Sequence, residues 1–235
     1  MDISKALTYP FEDPDWTMKL GIAAGISLLA FIAVIILPIV GLVVLIPLAG
    51  WSIETMKRVR SNEPNPLADW NDFGGLIKTG LTPFLAGIVY QIPTLLVYCG
   101  AVGYILVLVV SGSNDNLSAM LGGAASLIFG CCLCLVLIYS LVASVVYWGG
   151  LMRYLDKEEF GTFMEFGPNF RLVQENMGDF GMALLYTLIG GLIMGVLFGV
   201  PCIGWAAAYA FAFYYDAHIL GQLSVKLAGA AKPAM

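Results

Sequence analysis

Three ionisable side chains fall inside or at the edges of long apolar stretches: Glu54, Asp216 and His218. A charge at membrane depth points first to a proton or substrate relay, because removing it from water is costly. The spacing also allows a plainer reading. Glu54 precedes Arg58 by four residues, the orientation that favours an ion pair along one helix face. Asp216 and His218 are two positions apart, about 200° around a helix, so they do not face each other. Interfacial anchoring and a transport or binding role both stay open for the three.

Other chemistry is scarce. His218 is the only histidine, and a zinc site would need cysteines or carboxylates beside it. Cys131, Cys132 and Cys134 diverge around any helix that carries them. Buried cysteines of this kind, Cys99 included, behave as small apolar residues. The chain contains no Gly-rich phosphate loop, nucleophile elbow or metalloprotease helix motif. Without a serine or cysteine placed beside a base, a hydrolytic site is hard to assemble. The expectation is a protein that is not an enzyme, with no metal, no cofactor and no nucleic-acid partner.

The elements that must position these residues are membrane helices. The chain has 235 residues, of which 60% are hydrophobic and 11% charged. Soluble domains carry roughly 25% charged residues, so a membrane class is close to forced. Six apolar stretches are long enough, or nearly so, to cross a bilayer. They run over about 18–37, 41–56, 82–110, 117–151, 179–200 and 203–226. The fold class expected is an all-α membrane protein with six transmembrane helices and short interfacial amphipathic helices. The whole of 1–235 reads as one transmembrane domain.

All eleven Lys and Arg residues lie at the termini or in the connectors at about 57–80 and 152–178, and the other three turns have none. Positive charge resists translocation, so these segments belong in the cytoplasm together with both termini. The location expected is a cell membrane, inner or plasma. Aromatic residues mark the same face: Trp16 before helix one, Trp70 and Phe73 in an interfacial helix over Leu67–Phe73, and Phe166 and Phe170 in the second connector.

Asp15-Trp16-Thr17-Met18 parallels Asp179-Phe180-Gly181-Met182, and Pro38-Ile39-Val40-Gly41 parallels Pro201-Cys202-Ile203-Gly204. A parallel internal repeat of helical hairpins follows, with units at about 1–60 and 161–226 around a central hairpin at about 67–155. Small residues recur every four positions at Gly191, Gly195 and Gly199, and at Gly122, Ser126 and Gly130. Such stripes let helix backbones approach closely, within one bundle or across a homo-oligomer seam.

Several short motifs together resemble a known family. They are Ile3-x-x-Ala6-Leu7-x-Tyr9-Pro10-Phe11-x-Asp13-Pro14-Asp15-Trp16, then Gly50-x-x-x-Glu54-x-x-x-Arg58-Val59, then Pro66-Leu67-x-x-Trp70-x-Asp72-Phe73. Tyr90-x-Ile92-Pro93, Arg171-Leu172-Val173-x-Glu175-Asn176, Cys202-Ile203-Gly204 and His218-x-Leu220-Gly221-Gln222 follow in order. Across nearly the whole chain this resembles the prokaryotic membrane family called domain of unknown function four thousand and thirteen. The resemblance implies a multi-pass bacterial or archaeal membrane protein and carries no activity with it.

Two functions compete. One is a non-catalytic scaffold or interaction module at the cytoplasmic face, embedded in the lipid bilayer and holding a protein partner or a second copy of itself. The other is a small-molecule or ion transporter or channel that uses Glu54, Asp216 and His218.

Overall fold

The computed structural model describes residues 1–111, 124–201 and 203–230. Among these residues the chain is helical throughout, with no strand. A short helix α1 (Ile3–Thr8) and a 3-10 turn (Tyr9–Glu12) lead into α2 (Trp16–Ile36). Leu37 is extended, as a residue before proline must be, and so ends α2. The chain reverses through α3 (Pro38–Val44) into α4 (Ile46–Arg60), where Pro47 sits in the first turn and lacks only an N–H that would have no helical partner. Lys57, Arg58 and Arg60 occupy the last turn of α4, where cations suit the helix dipole, and Asn62 beyond it has a φ of 55°.

After a non-helical connector, α5 runs over Phe73–Ser111, capped by Asp72, whose Oδ1 accepts from the Gly75 N–H at 2.8 Å. Then come α6 (Ala124–Lys157), the single turn α7 (Gly161–Met164), α8 (Phe166–Glu175), α9 (Met177–Phe198) and α10 (Ile203–Ala230).

Five stretches are long and apolar enough to cross a membrane: Trp16–Ile36, Pro38–Arg60, Phe73–Val107, Gly130–Lys157 and Met177–Phe198. The sixth stretch read from the sequence is α10, which has 28 residues but is less apolar than these five. Its position explains its composition. α4 and α10 pack on each other in the middle of the bundle, with α2 and α9 against α10, α5 against α4, and α6 outside α5. A helix enclosed by protein can carry tyrosines, Asp216 and His218 that a lipid-facing helix would not.

Close backbone contact occurs where the stripes did not predict it. Gly50 of α4 and Gly80 of α5 face each other, and a Cβ on either would fall on a carbonyl of the other helix. Gly190 is pressed on the Tyr215 ring, and Gly221 on Val59. Gly191 and Gly195 are exposed with open space beside them, as is Gly130, and a Cβ on Gly199 would meet only its own helix. The packing role within the bundle therefore passes from the Gly191/Gly195/Gly199 stripe to the neighbouring Gly190. Spacing alone does not say which face of a uniformly apolar helix turns inward. Gly122 lies outside the described residues.

A second correction concerns Leu67–Phe73. These residues do not form an interfacial helix: 67–72 is non-helical, and Leu67 and Ala68 are fully buried. The helix that follows starts at Phe73, well before the predicted position 82.

Candidate functional site

Among the described residues, the ion-paired side chains gather at one end of the bundle. Ion pairs join Lys57 to Glu158, Arg60 to Asp156 at 2.5 Å and Lys226 to Asp179 at 2.7 Å. They bring together the C-terminal ends of α4, α6 and α10 and the N-terminal end of α9. Three segments close over this charged end.

The first is the 61–72 connector. Its centre is Lys19, buried at the start of α2, whose Nζ donates to Asp13 and Asp69 at 2.7 Å each and to the Leu67 carbonyl at 3.1 Å. Three acceptors around one ammonium match its three N–H donors. Arg58 donates to Asp69 at 3.0 Å and to the same Leu67 carbonyl at 3.2 Å. Hydrogen bonding from Lys19, and then from Arg58, holds the Asp69 carboxyl below the usual range. The expected Glu54–Arg58 pair forms at 3.8 Å, with Glu63 on the same guanidinium at 3.9 Å. A buried non-helical backbone needs partners from side chains. Trp51 Nε1 supplies one to the Ala68 carbonyl at 2.8 Å, and Thr55 Oγ1 accepts from the Ala68 N–H at 3.1 Å. Trp70 stacks on Trp51 with centroids 5.3 Å apart and donates to the Lys19 carbonyl at 3.0 Å. Trp70 is thus a half-buried wedge between connector and bundle.

The second segment comprises α7 and α8. Asn169 is fully buried, and its Nδ2 donates to the carbonyls of Thr162 at 2.9 Å and Phe163 at 3.1 Å. Its Oδ1 accepts from Arg153 at 2.7 Å, while the Tyr90 hydroxyl donates to the Phe163 carbonyl at 2.7 Å. Arg153 also pairs with Glu165, which lowers the pKa of that exposed carboxyl. Gly149 and Gly150 admit this segment: a Cβ on Gly149 would lie 2.7 Å from the Asn169 carbonyl oxygen. Phe166 and Phe170 point outward, about half exposed, and Phe73 and Phe11 do the same elsewhere at this end.

The third segment is the N-terminus. Tyr9 is buried; its hydroxyl donates to the Tyr214 carbonyl at 2.9 Å, and its ring stacks on His218 with centroids 4.3 Å apart. Burial pushes the Tyr9 phenol well above its ordinary pKa. His218 Nδ1 lies 2.8 Å from Gln222 Nε2, and Gln222 also donates to the Asp2 carbonyl at 3.0 Å. A cavity of about 300 Å³ lies between this segment, α10 and the 61–72 connector. Trp16 is half-buried and meets Phe11 edge-on at 5.0 Å.

The three sequence candidates do not converge. Glu54 belongs to the Arg58 network, His218 lies under Tyr9, and Asp216 lines a separate cavity of about 450 Å³. The key residues that sequence reasoning missed are Lys19 and Asn169. A lone lysine in the first turn of an otherwise apolar helix was the available signal for Lys19. Asn169 had none, because an asparagine on an interfacial helix between Phe166 and Phe170 reads as part of its solvated face. Among the described residues, no group of three or more His, Cys, Asp or Glu side chains is arranged to hold a metal ion.

Several apolar helices of spanning length, closed at one end by docked polar segments, define a multi-pass helical membrane protein. The chain belongs to the family described as protein of unknown function (DUF4013), whose model matches residues 18–203. That match includes Lys19, Glu54, Arg58 and Asn169 and stops before Asp216 and His218. No curated protein and no solved structure matches the chain.

Proposed function

We propose that this protein is a non-catalytic membrane module that presents a fixed surface to a protein partner at the cytoplasmic face of a cell membrane. In this reading α10 is a sixth crossing, both termini are cytoplasmic, and the charged end of the bundle is the cytoplasmic one. The two outer hairpins are then parallel repeats. Their turns share a detail: Gly41 packs on Val34 and Gly204 on Leu197, each seven residues earlier and three after a proline.

The observation that carries the reading is the docking of all three polar segments by buried polar groups. Buried ion pairs add little net stability compared with apolar packing, and their best-attested benefit is one defined geometry. A surface whose shape matters gains from that. Six of the eleven bases (Lys19, Lys57, Arg58, Arg60, Arg153 and Lys226) are tied to carboxylates. The face is therefore largely self-neutralised, which favours a protein partner over a patch that attracts anionic lipid. The outward Phe166 and Phe170 are aromatic anchors of the type enriched at interfaces.

The test is a photo-crosslinking amino acid placed at Phe166, at Phe170 and, as a lipid-facing control, at Ile35. A discrete protein adduct at the first two positions, lost when Asn169→Ala loosens α7 and α8, is the expected outcome. Adducts identical to those from Ile35 would sink the proposal.

A further inference from the structure

Asp216 poses a separate problem. It sits on α10 thirteen residues after Ile203, about 20 Å along the helix at 1.5 Å per residue. It lines a cavity of about 450 Å³ between α4, α5, α6, α9 and α10, and no side chain around that cavity is a base. Asp216 takes part in no ion pair among those of the described residues. The buried Thr187 hydroxyl lies beside it and is neutral, so it supplies no counter-charge. Two hydroxyls of the lining itself are committed elsewhere: Ser52 Oγ donates to the Phe213 carbonyl at 3.3 Å, and the Tyr147 hydroxyl to the Pro83 carbonyl at 3.0 Å. The carboxyl group is thus left without a counter-charge in apolar surroundings, an arrangement that persists only when something compensates it.

The rest of the lining indicates what that compensation is. Tyr147, Tyr209 and Phe213 contribute aromatic rings, and Met56 and Met194 contribute polarizable thioethers. Aromatic faces attract cations, and methionines adapt to ligands of varied shape. A second cavity, of about 500 Å³, shares Ala49, Pro83 and Tyr147 with the first and leads away between α5 and α6. It offers apolar room beyond the carboxylate. We propose that the Asp216 cavity is a binding site for an amphiphilic organic cation, its positive centre against the carboxylate and its apolar body among the aromatic and methionine side chains. The site is independent of the partner surface at the charged end, so either proposal can fail alone.

The experiment uses the full chain in nanodiscs, with empty nanodiscs subtracted, and two probes of nearly equal shape: tetraphenylphosphonium and tetraphenylborate. Protein-dependent binding of the cation and none of the anion is expected. Asp216→Asn should weaken cation binding about tenfold or more, as loss of a desolvated counter-charge does. Tyr209→Ala keeps the carboxylate and should weaken it about threefold to tenfold through the lost ring. It serves as the second test if the Asn variant does not fold. Competition by phosphatidylethanolamine in the nanodisc would identify a lipid ammonium headgroup as the natural occupant, and its absence a free amine. Equal binding of both probes, no binding of the cation to the wild-type chain, or full affinity in the Asp216→Asn and Tyr209→Ala variants would overturn the proposal.

Discussion

The 61–72 connector and the α7–α8 connector close the same end of the bundle, one by charge and the other by an amide. In the first, Lys19 is a buried cation satisfied by two carboxylates and a carbonyl, and the chain stays non-helical because Trp51, Thr55 and Arg58 supply its hydrogen bonds. In the second, neutral Asn169 holds two carbonyls of the preceding turn, and the chain can be helical because Gly149 and Gly150 let it approach. The lesson concerns vulnerability. A charged hub fails abruptly when one partner is lost, since the remaining charge is stranded. An amide hub loses hydrogen bonds, one of them from the Arg153 guanidinium, but strands no charge, because Glu165 still pairs with Arg153.

That contrast can be broken in four ways. The largest effect is expected from Lys19→Met, which strands the buried Asp13 carboxylate and should cost about 3–5 kcal/mol in unfolding free energy in micelles. Restoring an apolar match with Asp13→Leu and Asp69→Asn in the same chain should recover most of it. Asn169→Ala should cost about 1–3 kcal/mol by the same assay, with the loss confined to the second connector. Trp70→Phe removes one hydrogen bond and part of the Trp51 stack, for about 1 kcal/mol.

The smallest effect is that of pH. The folded pKa of Asp69 is depressed, so its contribution is complete above its unfolded value of about 3.9 and is lost as pH falls through the lower folded value. Protease resistance of 61–72 should be flat from pH 8 to 5 and fall below about pH 4. In the Asn169 hub the acid-titrating carboxylate is the exposed Glu165, whose pair with Arg153 contributes little, and the Asn169 hydrogen bonds do not titrate, so α7–α8 should outlast the first connector in acid.

What the sequence made legible was local. The Glu54–Arg58 pair followed from four-residue spacing, and the membrane helices from apolar run length, with ends displaced by several residues. Lys19–Asp69 links positions fifty apart, and no periodicity announces such a pair. The Trp70 segment was misread because an apolar stretch with a tryptophan looks the same whether it meets lipid or the flank of a helix. The outcome depended on Trp51, Thr55 and Lys19 offering donors and acceptors to its backbone. Within the bundle the Gly191 stripe makes no seam for a related reason: Gly190 and Gly191 are adjacent, and it is Gly190 that meets the Tyr215 ring.

Independent fastening of the two connectors is most directly tested by hydrogen exchange of the full chain in nanodiscs, comparing the wild type with Lys19→Met and Asn169→Ala. Expected is a loss of amide protection over 61–72 alone in the first variant and over 161–175 alone in the second. Loss of protection in both connectors together in either variant, or in neither connector in both, would contradict it.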